Sequence, residues 1–500
     1  MSDFIYNDFS GTTNQHSAPH LLQNNQAEYD INIVRDVDGA IAHRLGSRIL
    51  AGVGGGVTGE IQGAGIYTNS SGVQTLCIVA GGNFYKFNTT TNAFDLVSSS
   101  VVSTSSTVEF KPYIGKLYFI GSGGTEYLKS YNGSSISTVS GNIVGTFLEV
   151  SNSRLYVGGG INAANPRRIF FSNVGNDTFT TASDYVDLDA TVTGLKSLGE
   201  SNPLLGFDTE TITVMDPAQS YSRKIEGNFA CLSHRSIQNL QGHAIFLARD
   251  GFYRMSSVEA YPIKISTPVE NQVTYDAFFN RISQNGFKTA AAFVRGNKYY
   301  CCVGDLTSDV KGESHEDFWF VMDLKQVTWQ HRTYSANGLG AVFIDYVNDS
   351  SDTRLALAGS KDAPIMYEFE VENLYTDEDT NGDEQSVTAK YRTKYFEIPI
   401  GSQGSAGVET QKTLTKGFVK FKADSALTMK YSKDASGIYS SWTTTTVTNN
   451  SVGYEWNALS PFRDPSFKSL SVGVEGTGNW ILYSLGFNIS PNRNDQLTTR

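Results

Sequence analysis

One phrase returns seven times along these 500 residues and restricts the fold more than any single motif: a turn, an apolar run, a second turn and another strand-forming run. Its apolar runs begin at Gln74, Lys116, Arg154, Pro203, His243, Lys298 and Arg354. With Leu76, Leu117, Leu155, Leu204, Ile245, Tyr299 and Leu355 as markers, the intervals are 41, 38, 49, 41, 54 and 56 residues. That period is the size of a four-stranded propeller blade. Each marker is followed by a second run, such as Asn83-Phe-Tyr-Lys-Phe, Arg168-Ile-Phe-Phe, Gly251-Phe-Tyr or Phe318-Trp-Phe-Val, which makes a hairpin. Upstream strands such as Thr107-Val-Glu-Phe-Lys, and later ones such as Val327-Thr-Trp329, bring the count to four.

A unit this small cannot bury both faces alone, so its stability must come from neighbours packed around a ring. Composition agrees with an all-β chain: 12% of residues are aromatic, 18% are charged and 48 are Gly, which suits short half-buried strands and tight turns. The expected architecture is a β-propeller of about seven blades over residues 49–375. A helical insertion is expected near 268–286, where Val269, Val273, Phe278 and Ile282 are spaced three to five apart. The acidic run YTDEDTNGDEQ, 375–385, marks a boundary, and a C-terminal β-sandwich follows over 386–491, with a tail at 492–500. Residues 1–48 are turn-rich and read as an N-terminal arm laid over the propeller or over a neighbouring subunit. Its Phe4, Phe9, Leu21 and Leu22 have no evident element to cover, so removal of residues 1–40 is expected to leave a folded monomer.

The chemistry-bearing residues form no recognisable catalytic set. Asp377, Asp379 and Asn381 with Gly382 copy the opening of a calcium loop, but the twelfth position is Thr388, where a bidentate carboxylate belongs. A solvated acidic linker is the expectation there. Ser432 to Trp442 resembles an Asp-box turn with altered spacing, a folding device without catalytic groups. Glycoside hydrolysis needs two carboxylates across a cleft, one of raised pKa. Glu109, Asp208, Glu210 and Asp250 lie in different units, and nothing in the sequence joins any two. His16 and His20 are separated by Pro19, which argues against a helical metal pair, and Gly52-Val-Gly-Gly-Gly-Val lacks the Lys and helix of a phosphate loop. No catalytic, cofactor-binding or metal residue is therefore assigned. Adjacent Cys301 and Cys302 are expected to be one core filler and one partly exposed thiol, in a reducing compartment. The opening residues carry no leader-like pattern and no run of about 18 apolar residues follows, so neither export nor membrane insertion is expected. A formal charge of -11 without basic runs disfavours tight phosphate binding.

The first 46 residues carry a family resemblance. Asp8-Phe9-Ser10-Gly11, Leu21-Leu22-Gln23-Asn24-Asn25-Gln26-Ala27, Asn32, Asp38-Gly39-Ala40 and His43-Arg44-Leu45-Gly46 closely resemble the opening of phage tail nozzle and packaged-DNA stabilisation proteins of short-tailed phages. Asn165-Pro-Arg-Arg168-Ile-Phe-Phe-Ser172 with Phe179, and Ser266-Thr-Pro-Val-Glu270, are further resembling stretches in the same order. The resemblance implies a non-enzymatic virion protein without cofactor, assembled in the host cytoplasm as a homo-oligomer, six copies in the nozzle case. Portal and adaptor proteins and tail fibre, spike or needle proteins would be its partners, and double-stranded DNA would be retained and then passed non-specifically at ejection. Six copies at -11 carry -66 formal charges, and a negative inner wall would let DNA slide. The alternative is a tail-associated propeller that binds or degrades glycans, a depolymerase or sialidase-like protein.

Overall fold

The computed structural model describes residues 2–491 except 16, 19–20, 38, 52–55, 200–201, 217–220, 228, 230, 270–281, 307–312, 335–337, 349–352, 398–411, 434–442, 449–454 and 460–463. Six antiparallel sheets follow one another as four-stranded meanders, and a seventh is built from three consecutive strands completed by strands from elsewhere in the chain. Their innermost strands are Ile61–Thr68, Val108–Tyr113, Phe147–Ser151, Val192–Ser197, Gln238–Leu240, Ala291–Arg295 and Leu339–Asn348 in blades 1 to 7. The chain is a seven-bladed β-propeller joined to a β-sandwich. All seven marker residues fall on second strands, where Leu76, Leu117, Leu155, Leu204, Ile245 and Tyr299 are 0% exposed and Leu355 is 7%. Period-2 alternation explains why a run such as Leu76-Cys-Ile-Val is apolar throughout: a blade is covered on both faces by its neighbours.

Each junction between blades has its own apolar core. Cys77, Phe84, Phe110 and Phe119 join blades 1 and 2, and Phe207, Phe246 and Tyr253 join blades 4 and 5. Ile61, Leu76 and Ile78 of blade 1 meet Tyr346, Leu357 and Met366 of blade 7, so the ring closes. Closure also uses backbone pairing. The fourth strand of blade 7 is Gly46–Ala51, antiparallel to Met366–Val371, so the N-terminal region completes the last blade. Tight two-residue turns set the hairpin registers. Ile114–Gly115, Asn152–Ser153 and Gln241–Gly242 all have positive φ at both positions, the mirror-image turn that matches strand twist.

The expected arm is instead part of the sandwich. One of its sheets orders Ile33–Val37, Ala40–His43, Trp480–Pro491, Lys412–Ala423 and Glu455–Leu459, with Ser2–Tyr6 also paired to Trp480–Pro491. The other orders Ala27–Ile31, Ala389–Thr393, Leu470–Gly476, Leu427–Lys433 and Thr443–Val447. Phe9 is buried among Tyr6 and Tyr391, Phe4 stacks on Phe487, and Leu22 is buried, whereas Leu21 is 70% exposed. Three of the four apolar residues thus find cover within the same chain, and loss of residues 1–40 would strip strands from both sheets. The premise of a separable arm fails because its short strands pair with partners hundreds of residues away.

Residues 376–386 also differ from a free linker. Thr376–Glu378 and Glu384–Ser386 form a hairpin, and Asp377 pairs in parallel with Ser47 beside blade 7. Cys301 and Cys302 are both buried, which corrects the expected exposed thiol. The sheet is covered on both sides there, and burial pushes the Cys301 thiol up to about 12. The helical expectation at 268–286 meets a 3₁₀ turn, Thr267–Val269, and a single-turn helix, Gln284–Thr289; its middle lies outside the described residues. No described helix is long and apolar enough to cross a membrane.

Candidate functional site

Two places collect buried polar chemistry: the joint between propeller and sandwich, and the propeller's central channel. At the joint, Arg44 is fully buried and uses all five of its N–H donors. Nε donates to Asn32 Oδ1 (2.9 Å), Nη1 to the Leu45 carbonyl (2.8 Å) and Asp377 Oδ1 (3.1 Å), and Nη2 to the Thr333 carbonyl (2.7 Å) and Asp377 Oδ2 (2.5 Å). Its guanidinium carbon also lies 3.9 Å from the centre of the Tyr334 ring. A fork of donors fully matched in this way is what makes Arg, rather than Lys, suited to a desolvated ion pair.

Asn32 adopts φ 59°, a left-handed conformation that Asn tolerates, and links the same elements. Its amide donates to Thr333 Oγ1 (3.1 Å) and the Thr388 carbonyl (3.0 Å). Gly46 has no room for a Cβ, which would run into the Thr376 carbonyl oxygen. Nearby, Asp30 is paired with Arg35 (2.6 Å) and His331 Nδ1 (3.0 Å), and Arg35 Nη1 donates to the Trp329 carbonyl (3.1 Å). Burial works against the Asp30 charge, but Arg35 and the His331 contact outweigh it and hold the carboxyl below its ordinary range. Phe9, Gly11, Asn32, Gly39, Arg44 and Gly46, all from the resembling N-terminal stretches, therefore serve the sandwich and its joint to the propeller. Phe9 N–H donates to the Gly39 carbonyl (2.9 Å), and Gly11 lies against the Asn25 carbonyl. The second resembling stretch is structural too: Ser172 Oγ accepts from Leu155 N–H (3.0 Å), and Arg168 stacks on Tyr185 at 3.6 Å.

The channel is lined by innermost strands, and blade 5 departs from the pattern. Its short strand is preceded by a 3₁₀ turn, His234–Ser236, which carries His234 and Arg235 into the channel. Arg235 reaches across to blades 1 and 2. Nε donates to Glu109 Oε1 (2.7 Å), and Nη2 donates to the Gln62 and Val108 carbonyls (both 2.9 Å). Cavities lie on either side of this septum and share Glu109, His234 and Arg235 in their walls. One, of 470 Å³, opens where inner strands begin, at Ile61, Thr107 and Phe147. The other, of 340 Å³, lies where they end, at Ile66, Pro112, Lys196 and Ile344.

The septum is electrostatically ordered. His234 Nδ1 accepts from Leu195 N–H (3.2 Å), so its proton sits on Nε2, which faces Glu109 at 3.7 Å. Burial lowers the His234 pKa to about 4 and keeps the ring neutral at pH 7. Burial opposes ionisation of Glu109 and Glu149, yet Arg235 beside the first and Lys111 beside the second hold both below the usual carboxylate range. Lys111 Nζ lies 3.1 Å from Glu149. Lys196, also in this cluster, is pushed down to about 8 by burial and by the neighbouring Lys111.

The carboxylates considered from sequence are not brought together. Glu109 belongs to the septum. Asp208 is buried and caps a turn, accepting from Glu210 N–H (2.8 Å) and Thr211 N–H (2.6 Å); Glu210 is exposed beside it. Asp250 is paired with Lys264 (3.3 Å) at the outer edge of blade 5. Burial does push one other carboxyl, Asp317, up to about 7, but it shares the Lys361 ammonium with adjacent Asp305 rather than facing a carboxylate across a cleft. Asp377 is committed to Arg44 and Ser47 Oγ (2.8 Å), so it is no ligand for a cation in the 377–383 loop. No cluster of three His, Cys, Asp or Glu suited to a metal occurs among the described residues. His16, His20, residues 52–55 and most of the 432–442 turn lie outside the described residues. Sequence reasoning missed Arg235, His234 and Lys196, for which no motif spacing gave a signal.

No family model matches the chain, and no curated protein matches it. Among solved structures, it is similar to BamB from Moraxella catarrhalis at 13% identity and a TM-score of 0.38, over 68% of this chain and 94% of that one. The class defined by the strand order is that of a seven-bladed propeller fused to a two-sheet sandwich to which both ends of the chain contribute.

Proposed function

We propose that this protein is a structural component of a phage tail, a nozzle or head-completion ring that extends the portal and adaptor channel, retains packaged DNA and passes it at ejection. The observation that carries this reading is the convergence of the resembling residues. Asn32, Arg44 and Gly46 meet at one buried joint, and Phe9, Gly11 and Gly39 hold the strands that lead to it. With every guanidinium donor engaged, the joint fixes one orientation of the sandwich against the propeller, which a subunit built into a larger assembly requires.

In this reading DNA runs through a lumen enclosed by copies of the chain, because the septum of Arg235 and Glu109 occupies the propeller's own axis. Six copies present -66 formal charges, which favours passage over retention by counterion release. Electron microscopy of the purified protein, alone and with the portal and adaptor, tests the proposal. A six-fold ring with an open bore is the expected result. A dispersed monomer that turns over host polysaccharide would overturn it in favour of the glycan-processing alternative.

A further inference from the structure

The channel contains an uncompensated cation. Lys111 is paired with Glu149 and Arg235 with Glu109, while His234 is neutral. These five charged groups, Lys196 included, leave one net positive charge. Among the described residues the Lys196 ammonium has no hydrogen bond or ion pair, only the more distant fields of Glu149, Glu109 and Lys111. It faces the 340 Å³ cavity, whose other walls include Lys111, Arg235, the Glu109 carboxylate, Ile66 and Val342. Partial burial weakens solvent screening and sharpens the attraction of the Lys196 ammonium for an anion. The volume falls in the range of roughly 300–1,000 Å³ typical of small-ligand sites.

We propose that this cavity binds a small phosphate-bearing anion, held by the ammonium groups of Lys196 and Lys111 and backed by the Arg235 septum. An ammonium is a compact point charge that suits phosphate oxygens. Lys111 keeps a geometry fixed by Glu149, so one arm of the site is already in place. A bound anion supplies the counter-charge that Lys196 lacks, and this explains why a cationic pocket persists inside a chain of net charge -11. The site is independent of the role in a tail: it belongs to a single propeller and needs no ring.

The test is a titration of the full-length protein with inorganic phosphate against chloride at constant ionic strength and pH 7, read by calorimetry and by unfolding temperature. The wild-type unfolding temperature should climb with phosphate, because a ligand that binds only the native state stabilises it. Lys196→Met should bind phosphate at least tenfold more weakly and lose that response. Its unfolding temperature without phosphate should equal or exceed the wild-type value, because a half-buried unpaired charge has been removed. Lys196→Arg should keep the response. Equal phosphate responses in wild type and Lys196→Met would mean a general salt effect and overturn the proposal. So would no wild-type response up to about 10 mM, where even a millimolar site is mostly filled.

Discussion

Arg44 shows what one side chain contributes to this architecture. Replacing it with Leu leaves the buried Asp377 carboxyl without its guanidinium partner, a loss on the order of 3–5 kcal/mol. Equilibrium unfolding in denaturant should register that loss, and Arg44→Leu combined with Asp377→Asn should recover part of it. His234 makes a separate, pH-dependent prediction. Its folded pKa, about 4, lies below the ordinary value of 6.5, so between these pH values the unfolded chain binds the extra proton. Stability from this group is present above pH 6.5 and falls as pH drops toward 4. His234→Asn should flatten that part of the stability profile, measured by thermal unfolding across the window. Neither role was legible from sequence. Asp377 stood in an acidic run that mimics a calcium loop, and its partner is 333 residues away. Arg44 was singled out only through resemblance, and His234 sits in no motif.

Among elements, the strands of the blades were the most legible, because apolar alternation and turn residues are local signals. The segments 2–6, 27–31, 33–37 and 40–43 were not, since four- and five-residue strands acquire meaning only from pairings such as Phe4 with Phe487. Deleting residues 2–40 should therefore unfold the sandwich. Hydrogen exchange would then show lost protection in Lys412–Ala423 and Trp480–Pro491, and unchanged protection would contradict the pairing. The turn at Ile114–Gly115 offers a gain instead. Ile114 holds φ 41°, which a β-branched residue adopts at a cost, and it is 44% exposed. Ile114→Asn should stabilise the protein by about 1 kcal/mol, seen as a raised unfolding temperature without change in the near-ultraviolet spectrum.

In the whole molecule, propeller and sandwich share a buried polar joint and a crossing chain, so scanning calorimetry should show one cooperative transition for wild type. Arg44→Leu should split it into two. The number of blades was readable from a period, but the blocked axis was not, because a 3₁₀ turn of three residues interrupts a repeat that alternation alone predicts to continue. The closing strand carries a consequence for biosynthesis. Gly46–Ala51 leaves the ribosome long before its partner Met366–Val371 exists. At about 5–20 residues per second that wait is on the order of half a minute. Until the last blade emerges, the nascent wheel has two raw rims able to seize a stranger's strand, and a chaperone that shields the leading segment would set the yield of finished protein.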